Sequence, residues 1–106
     1  MLNLTPREVA ARLADPGDKP LLLDVREPWE LDICRIADAE SIPMGQIPGA
    51  LDRLDPGREI VVICHHGIRS LQVARFLEQR GFARVVNLAG GVAAWARDLD
   101  PRMPTY

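Results

Sequence analysis

The run Ile60-Val61-Val62-Ile63 constrains this chain more than any other stretch. Four consecutive apolar residues, all branched at Cβ, with no polar alternation, fit a strand covered on both faces. Such strands sit in the interior of parallel sheets. Immediately after the run comes Cys64-His65-His66-Gly67-Ile68-Arg69-Ser70. From Leu71 to Arg80, apolar Leu71, Val73, Ala74, Phe76 and Leu77 are set against polar Gln72, Arg75, Glu78, Gln79 and Arg80. That spacing predicts an amphipathic helix. The order is therefore strand, tight loop, helix, with a cysteine at the junction.

This junction has a chemical consequence. The first amides of a helix lack intrahelical partners and, with the helix dipole, favour negative charge. A cysteine held before them is expected to be present largely as the nucleophilic thiolate. Gly67 supplies backbone freedom for the turn, and Arg69, with His65 and His66, adds positive charge for an anionic substrate. A second reading stands beside this one: a cysteine ending a strand is often a small buried hydrophobe. The loop alone leaves both open.

The rest of the chain supplies the frame. Thr5-Pro6-Arg7-Glu8 is a capping box with proline at the first helical position, predicting a helix from Pro6 to about Ala14. Asp15-Pro16-Gly17 ends it, and Leu21-Leu22-Leu23 reads as a buried strand. Pro28 opens a short helix, Trp29 to about Ile33; a short strand is expected within Ala39–Ile42, and Gln46–Leu54 is weakly helical around Pro48-Gly49. Asp55-Pro56-Gly57 repeats the first turn and leads into the strand before Cys64. Val85–Leu88 reads as the last strand, Gly90-Gly91 as a turn, and Val92 to about Arg97 as the final helix. Residues 1–100 are read as one domain. Residues 101–106 are expected to be a surface tail, ordered only if Met103 or Tyr106 packs back.

Alternating helices and short apolar strands predict an α/β fold, a mostly parallel sheet with helices on both faces. Ligands bind such sheets at the C-terminal strand ends, where Asp24, Arg26 and Cys64 all fall. A net charge of -2 implies no nucleic-acid partner. Residues 51–106 nevertheless carry eight bases against six acids, and residues 1–50 five against nine, so Cys64 lies in the basic half. The two cysteines, Cys34 and Cys64, have no zinc-like spacing and make no disulfide framework. With no signal-peptide pattern and no apolar run of membrane length, a cytoplasmic protein without membrane attachment is expected.

Three motifs together resemble the single-domain rhodanese family of sulfurtransferases. Leu22-Leu23-Asp24-Val25-Arg26-Glu27 with Trp29-Glu30 is similar to its first signature, Cys64–Ser70 to its active-site loop, and Gly90-Gly91-Val92-Ala93-Ala94-Trp95 to its closing signature. The match spans about residues 4 to 100. It departs at Cys34-Arg35-Ile36-Ala37-Asp38-Ala39, where Cys34 and Asp38 stand in place of the family's usual glycines.

The resemblance implies a five-stranded sheet and a catalytic Cys64 that takes the outer sulfur of a donor such as thiosulfate. The sulfur then passes to cyanide, a thiol or a sulfur-carrier protein. His65, His66, Gly67, Ile68, Arg69 and Ser70 are the implied substrate-binding residues. Asp24, Arg26 and Glu30 are read as structural supports, with Arg26 pairing Glu30. Arg69 has two readings, a ligand for the donor's anionic end or an ion pair with Glu30 or Asp24. No metal or organic cofactor is implied. Related phosphatases and arsenate reductases place five residues between cysteine and arginine; four separate Cys64 from Arg69. A non-catalytic binding module is the main alternative, and the intact Cys64 argues against it.

Overall fold

The structure is a computed structural model and describes residues 1–106. Its five strands are β1 (Leu2–Leu4), β2 (Leu21–Asp24), β3 (Glu40–Ser41), β4 (Ile60–Ile63) and β5 (Val85–Leu88). They form one sheet in the order β1-β5-β4-β2-β3, with every neighbouring pair parallel. The apolar run is thus the central strand, as its lack of alternation requires. Ile60 and Val62 enter one apolar layer, and Val61 and Ile63 the other.

Helices cover both layers. Helix α3 (Ile68–Gln79) buries Val73, Ala74 and Leu77 on the first, beside a 3-10 segment, Met44–Arg53, that contributes Ile47 and Ala50. Burial of side chains the size of Val73 or Leu77 contributes about 1.5–3 kcal/mol each. On the second layer lie Val9 of α1 (Pro6–Leu13), Ile33 of α2 (Pro28–Ile33), and Val92 and Trp95 of α4 (Gly91–Asp98). The capping box forms as expected: Glu8 N–H donates to Thr5 Oγ1 at 3.2 Å and Thr5 N–H to Glu8 Oε1 at 3.0 Å. No helix is long and apolar enough to cross a membrane.

Several boundaries differ from expectation. Strand β1 was not expected; three residues of which only Leu4 is buried give too weak a pattern, and pairing with β5 holds them. The segment around Pro48-Gly49 winds as a 3-10 helix, because proline lacks the amide that an α-helical ladder needs there. Helix α3 begins at Ile68 instead of Leu71, which places Arg69 and Ser70 in its first turn.

The topology prepares the site. From β2 the chain steps outward to β3, then returns to β4 on the other side of β2. The order reverses between β2 and β4, so a crevice opens past their C-terminal ends. Asp24 stands in register with Ile63, and Val25 N–H donates to the Ile63 carbonyl at 2.9 Å. Cys64 is the next residue. Beyond α4 the chain turns back: Met103 packs on the second layer, and Tyr106 reaches the crevice.

Candidate active site

Cys64 lies at the C-terminal end of β4, 1% exposed. Its Sγ accepts a hydrogen bond from Gly67 N–H at 3.1 Å. Gly67 makes this possible by adopting φ +98° as the N-cap of α3, a left-handed conformation that side-chain-bearing residues avoid. With no side chain, Gly67 also caps nothing. The amides of Ile68, Arg69 and Ser70 have no i−4 carbonyl inside the helix and no capping side chain. Above Sγ opens a cavity of about 160 Å³ lined by Cys64, His65, His66, Ile68 and Arg69. A larger one of about 250 Å³, between Leu13, Lys19 and Arg58, is lined by no cysteine.

The closing Gly90-Gly91 motif pins this loop from behind. Val92 N–H donates to the Cys64 carbonyl at 2.9 Å and Ala93 N–H to the His65 carbonyl at 3.1 Å. At Gly91, φ +60°, an added Cβ would lie 2.4 Å from both of those carbonyl oxygens. Only glycine lets α4 approach so closely.

Beneath the thiol is a polar network. Cys64 Sγ–H donates to Ser70 Oγ at 3.3 Å, and the Ser70 hydroxyl donates to Asn87 Oδ1. Asn87 Nδ2 in turn donates to Asn3 Oδ1 at 3.0 Å and to the Gly67 carbonyl at 3.3 Å. Ser70 therefore supports the sulfur from below and does not line the opening, while Ile68 stands at the rim, 71% exposed. The sequence reading missed Asn87; its signal was a lone amide within the apolar strand Val85–Leu88.

Beside the loop stand two ion pairs. Asp24 and Arg26 are both 0% exposed. Arg26 Nη2 and Nε donate to Asp24 Oδ2 and Oδ1 at 2.8 and 2.9 Å, and Nη2 also reaches the Cys34 carbonyl at 2.8 Å. The expected Arg26–Glu30 pair is not formed, since Arg26 touches only the Glu30 backbone carbonyl, at 3.4 Å. The nearer carboxylate, two residues back on the same strand end, takes the guanidinium. Glu30 instead binds Arg69 through both oxygens, at 2.6 and 2.8 Å. Of the two readings of Arg69, the ion pair with Glu30 is the one formed, and Arg69 also lines the cavity. Those bonds from Arg69, with donors from Tyr106 and the Glu27 backbone, hold the Glu30 carboxyl down at about 2.

Tyr106 was also missed as a site residue. Its hydroxyl donates to Glu30 Oε2 at 2.6 Å and accepts from Arg26 Nη1 at 3.0 Å. Its ring stacks on His65, with centroids 3.8 Å apart and planes 12° from parallel, and His65 stacks on His66 at 3.9 Å. Burial, and then the neighbouring His66, push the His65 imidazole below its ordinary value. In the segment that departs from the family pattern, Asp38 holds φ +66°, the only positive value outside glycine. An aspartate thus carries the left-handed turn where the resemblance leads one to look for glycine.

Comparison with known proteins decides the family. The rhodanese-like domain model matches residues 5–98. The chain belongs to the rhodanese-like domain family. It is 43% identical over 98 residues to a sulfurtransferase of Allochromatium vinosum, covering 92% of this chain and 91% of that protein. It is 34% identical over 111 residues to an adenylyltransferase and sulfurtransferase of Zea mays, covering 98% of this chain but 23% of that protein. A chloroplastic rhodanese-like/PpiC domain-containing protein of Arabidopsis thaliana, 36% identical, is matched over 37% of its length. The chain therefore spans less than two fifths of the length of these two plant relatives. Among solved structures, a rhodanese-like domain protein from Staphylococcus aureus superposes with a TM-score of 0.83 at 32% identity, covering 90% of this chain and 91% of that one.

Proposed function

We propose that this rhodanese-like chain is a sulfurtransferase that carries sulfur as a persulfide on Cys64. The Cys64 thiolate attacks the outer sulfur of a donor such as thiosulfate. An S–S bond forms at Cys64, the donor's own S–S bond breaks, and sulfite leaves with the electron pair. A second nucleophile then attacks the terminal sulfur, and the Cys64 thiolate leaves. In the test tube cyanide serves; in the cell a thiol or a sulfur-carrier protein would. This is covalent catalysis in two steps, and neither step calls on a metal or organic cofactor.

The observation that carries this reading is the Gly67 amide on Cys64 Sγ, at the head of a helix whose next amides are uncapped. Preorganised N–H groups there would hold the negative charge of the persulfide, as an oxyanion hole holds charge. His65, His66, Ile68 and Arg69 line the mouth, with Arg69 giving positive charge where the donor enters. The sulfurtransferase names of the two enzyme relatives support the same chemistry. A cytoplasmic setting belongs to this reading.

One observation favours a second reading, a binding module without turnover: Cys64 is almost wholly covered. Intact mass separates the two. Thiosulfate should add one sulfur atom to the wild type, cyanide should remove it as thiocyanate, and Cys64→Ala should gain none. A wild type that accepts no sulfur from thiosulfate or from a low-molecular-weight persulfide would leave the binding module.

A further inference from the structure

Tyr106 touches Arg26, Glu30, Trp29 and His65 beside the mouth, yet it lies outside all three sequence motifs. Its single hydroxyl joins two ion pairs that would otherwise be separate. It accepts from Arg26, already bound to Asp24 at the end of β2, and donates to Glu30, already bound to Arg69 in the first turn of α3. The Glu30 carboxylate has four donors on two oxygens: two from Arg69, one from Tyr106 and one from the Glu27 backbone. Such a carboxylate cannot rotate without breaking several charge-assisted bonds. The guanidinium it grips is thereby held in one orientation at the cavity wall. On its other side the Tyr106 ring covers one face of His65, which in turn supports His66. Trp29 meets the outer edge of the ring in a T-shaped contact, with centroids 5.8 Å apart.

We propose that Tyr106 is a positioning residue of the sulfur-transfer site: its hydroxyl fixes the Glu30 carboxylate that aims Arg69 at the anionic donor, and its ring holds the His65–His66 pair at the mouth. This rests on the sulfurtransferase reading above. It makes the segment after α4 a wall of the site. The placement also leaves its own signature. Tyr106 is the chain's single tyrosine, so tyrosinate absorbance reports it alone. Burial and the bond to Glu30 push its phenol up to about 12.

The test compares Tyr106→Phe and Tyr106→Ala with the wild type in single-turnover sulfur uptake from thiosulfate. Tyr106→Phe keeps the ring and loses the bridge. It should raise the half-saturating thiosulfate concentration about five- to tenfold, a fraction of what its two lost bonds to charged groups contribute, because they reach Arg69 only through Glu30, with little change in limiting rate. Tyr106→Ala should do the same and also lose the ring-current shift of the His65 imidazole protons, which Tyr106→Phe should retain. The wild-type phenol should titrate near 12. Half-saturation unchanged in both variants, or a phenol titrating at the ordinary value of 10 in the folded protein, would overturn the proposal while leaving sulfur transfer intact. A wild type that takes up no sulfur would sink the parent reading, and this one with it.

Discussion

The junctions that leave β2 and β4 begin alike and end differently. Each strand is preceded by an Asp-Pro-Gly turn with the same hydrogen bond, Gly17 N–H to Asp15 Oδ1 at 2.9 Å and Gly57 N–H to Asp55 Oδ1 at 2.8 Å. Each is followed by a helix that starts at the crevice. After β2, however, the polar groups satisfy one another. Arg26 is bound by Asp24, and the start of α2 has Pro28, which has no donor, and the Glu30 carboxylate on the Glu27 amide. After β4, a glycine stands where a capping side chain would be, and the next amides stay unclaimed beside a sulfur atom. One scaffold thus serves two ends, a sealed junction that supports and an unsealed one that can hold an anion.

Breaking the sealed side should cost the most. Asp24→Ala leaves a guanidinium that is 0% exposed without its carboxylate. We expect a loss of about 3–5 kcal/mol, seen as a fall in Tm of more than about 10 °C. A variant melting within about 2 °C of the wild type would mean that the pair does not carry this junction.

Gly91→Ala attacks the unsealed side from behind. The new Cβ would meet the Cys64 and His65 carbonyls at 2.4 Å in a left-handed backbone, and the cost should be about 2–3 kcal/mol. Sulfur uptake by the remaining folded protein should fall too, because the Cys64 loop must move aside. Wild-type uptake rates would show that α4 does not set the loop.

The link between the two junctions is Glu30, and pH sharpens its role. Its carboxyl is lowered from 4.5 to about 2, chiefly by Arg69 and then by Tyr106 and the Glu27 amide. A depressed carboxyl contributes stability that is present above its unfolded value and is lost as pH falls through the folded one. The contribution, on the order of 3 kcal/mol near neutrality, should therefore disappear between about 4.5 and 2. In denaturant titrations, Glu30→Gln should be less stable than the wild type at pH 7, with the gap closing toward pH 2. A gap independent of pH would assign the loss to packing alone.

The smallest effect lies at the edge of the sealed side. Asp38→Gly removes the strain of a left-handed aspartate and should stabilise the protein by about 0.5–1 kcal/mol in urea unfolding. A destabilised variant would show that the aspartate side chain earns its place by a contact.

What could be read in the sequence follows from how local each signal is. The β4 run, the cysteine loop and the Gly90-Gly91 turn announce themselves, because burial on two faces, a helix N-terminus and positive φ each demand residue types in consecutive order. Strand β1 could not be read, since three residues with one buried leucine form only against β5. The partner of Arg26 was misassigned because Asp24 and Glu30 both lie within reach along the chain, and only the fold chooses between them. Asn87 and Tyr106 stayed hidden for a related reason. They lie 23 and 42 residues beyond Cys64, and their role comes wholly from tertiary approach.

Amide NMR before and after sulfur loading tests the central contrast most directly. With one sulfur added from thiosulfate, the resonances of Gly67, Ile68, Arg69 and Ser70 should move and return when cyanide removes it, while those of Arg26 and Glu27 stay near their original positions. A persulfide that leaves residues 67–70 unmoved, or that forms on Cys34, would contradict the account.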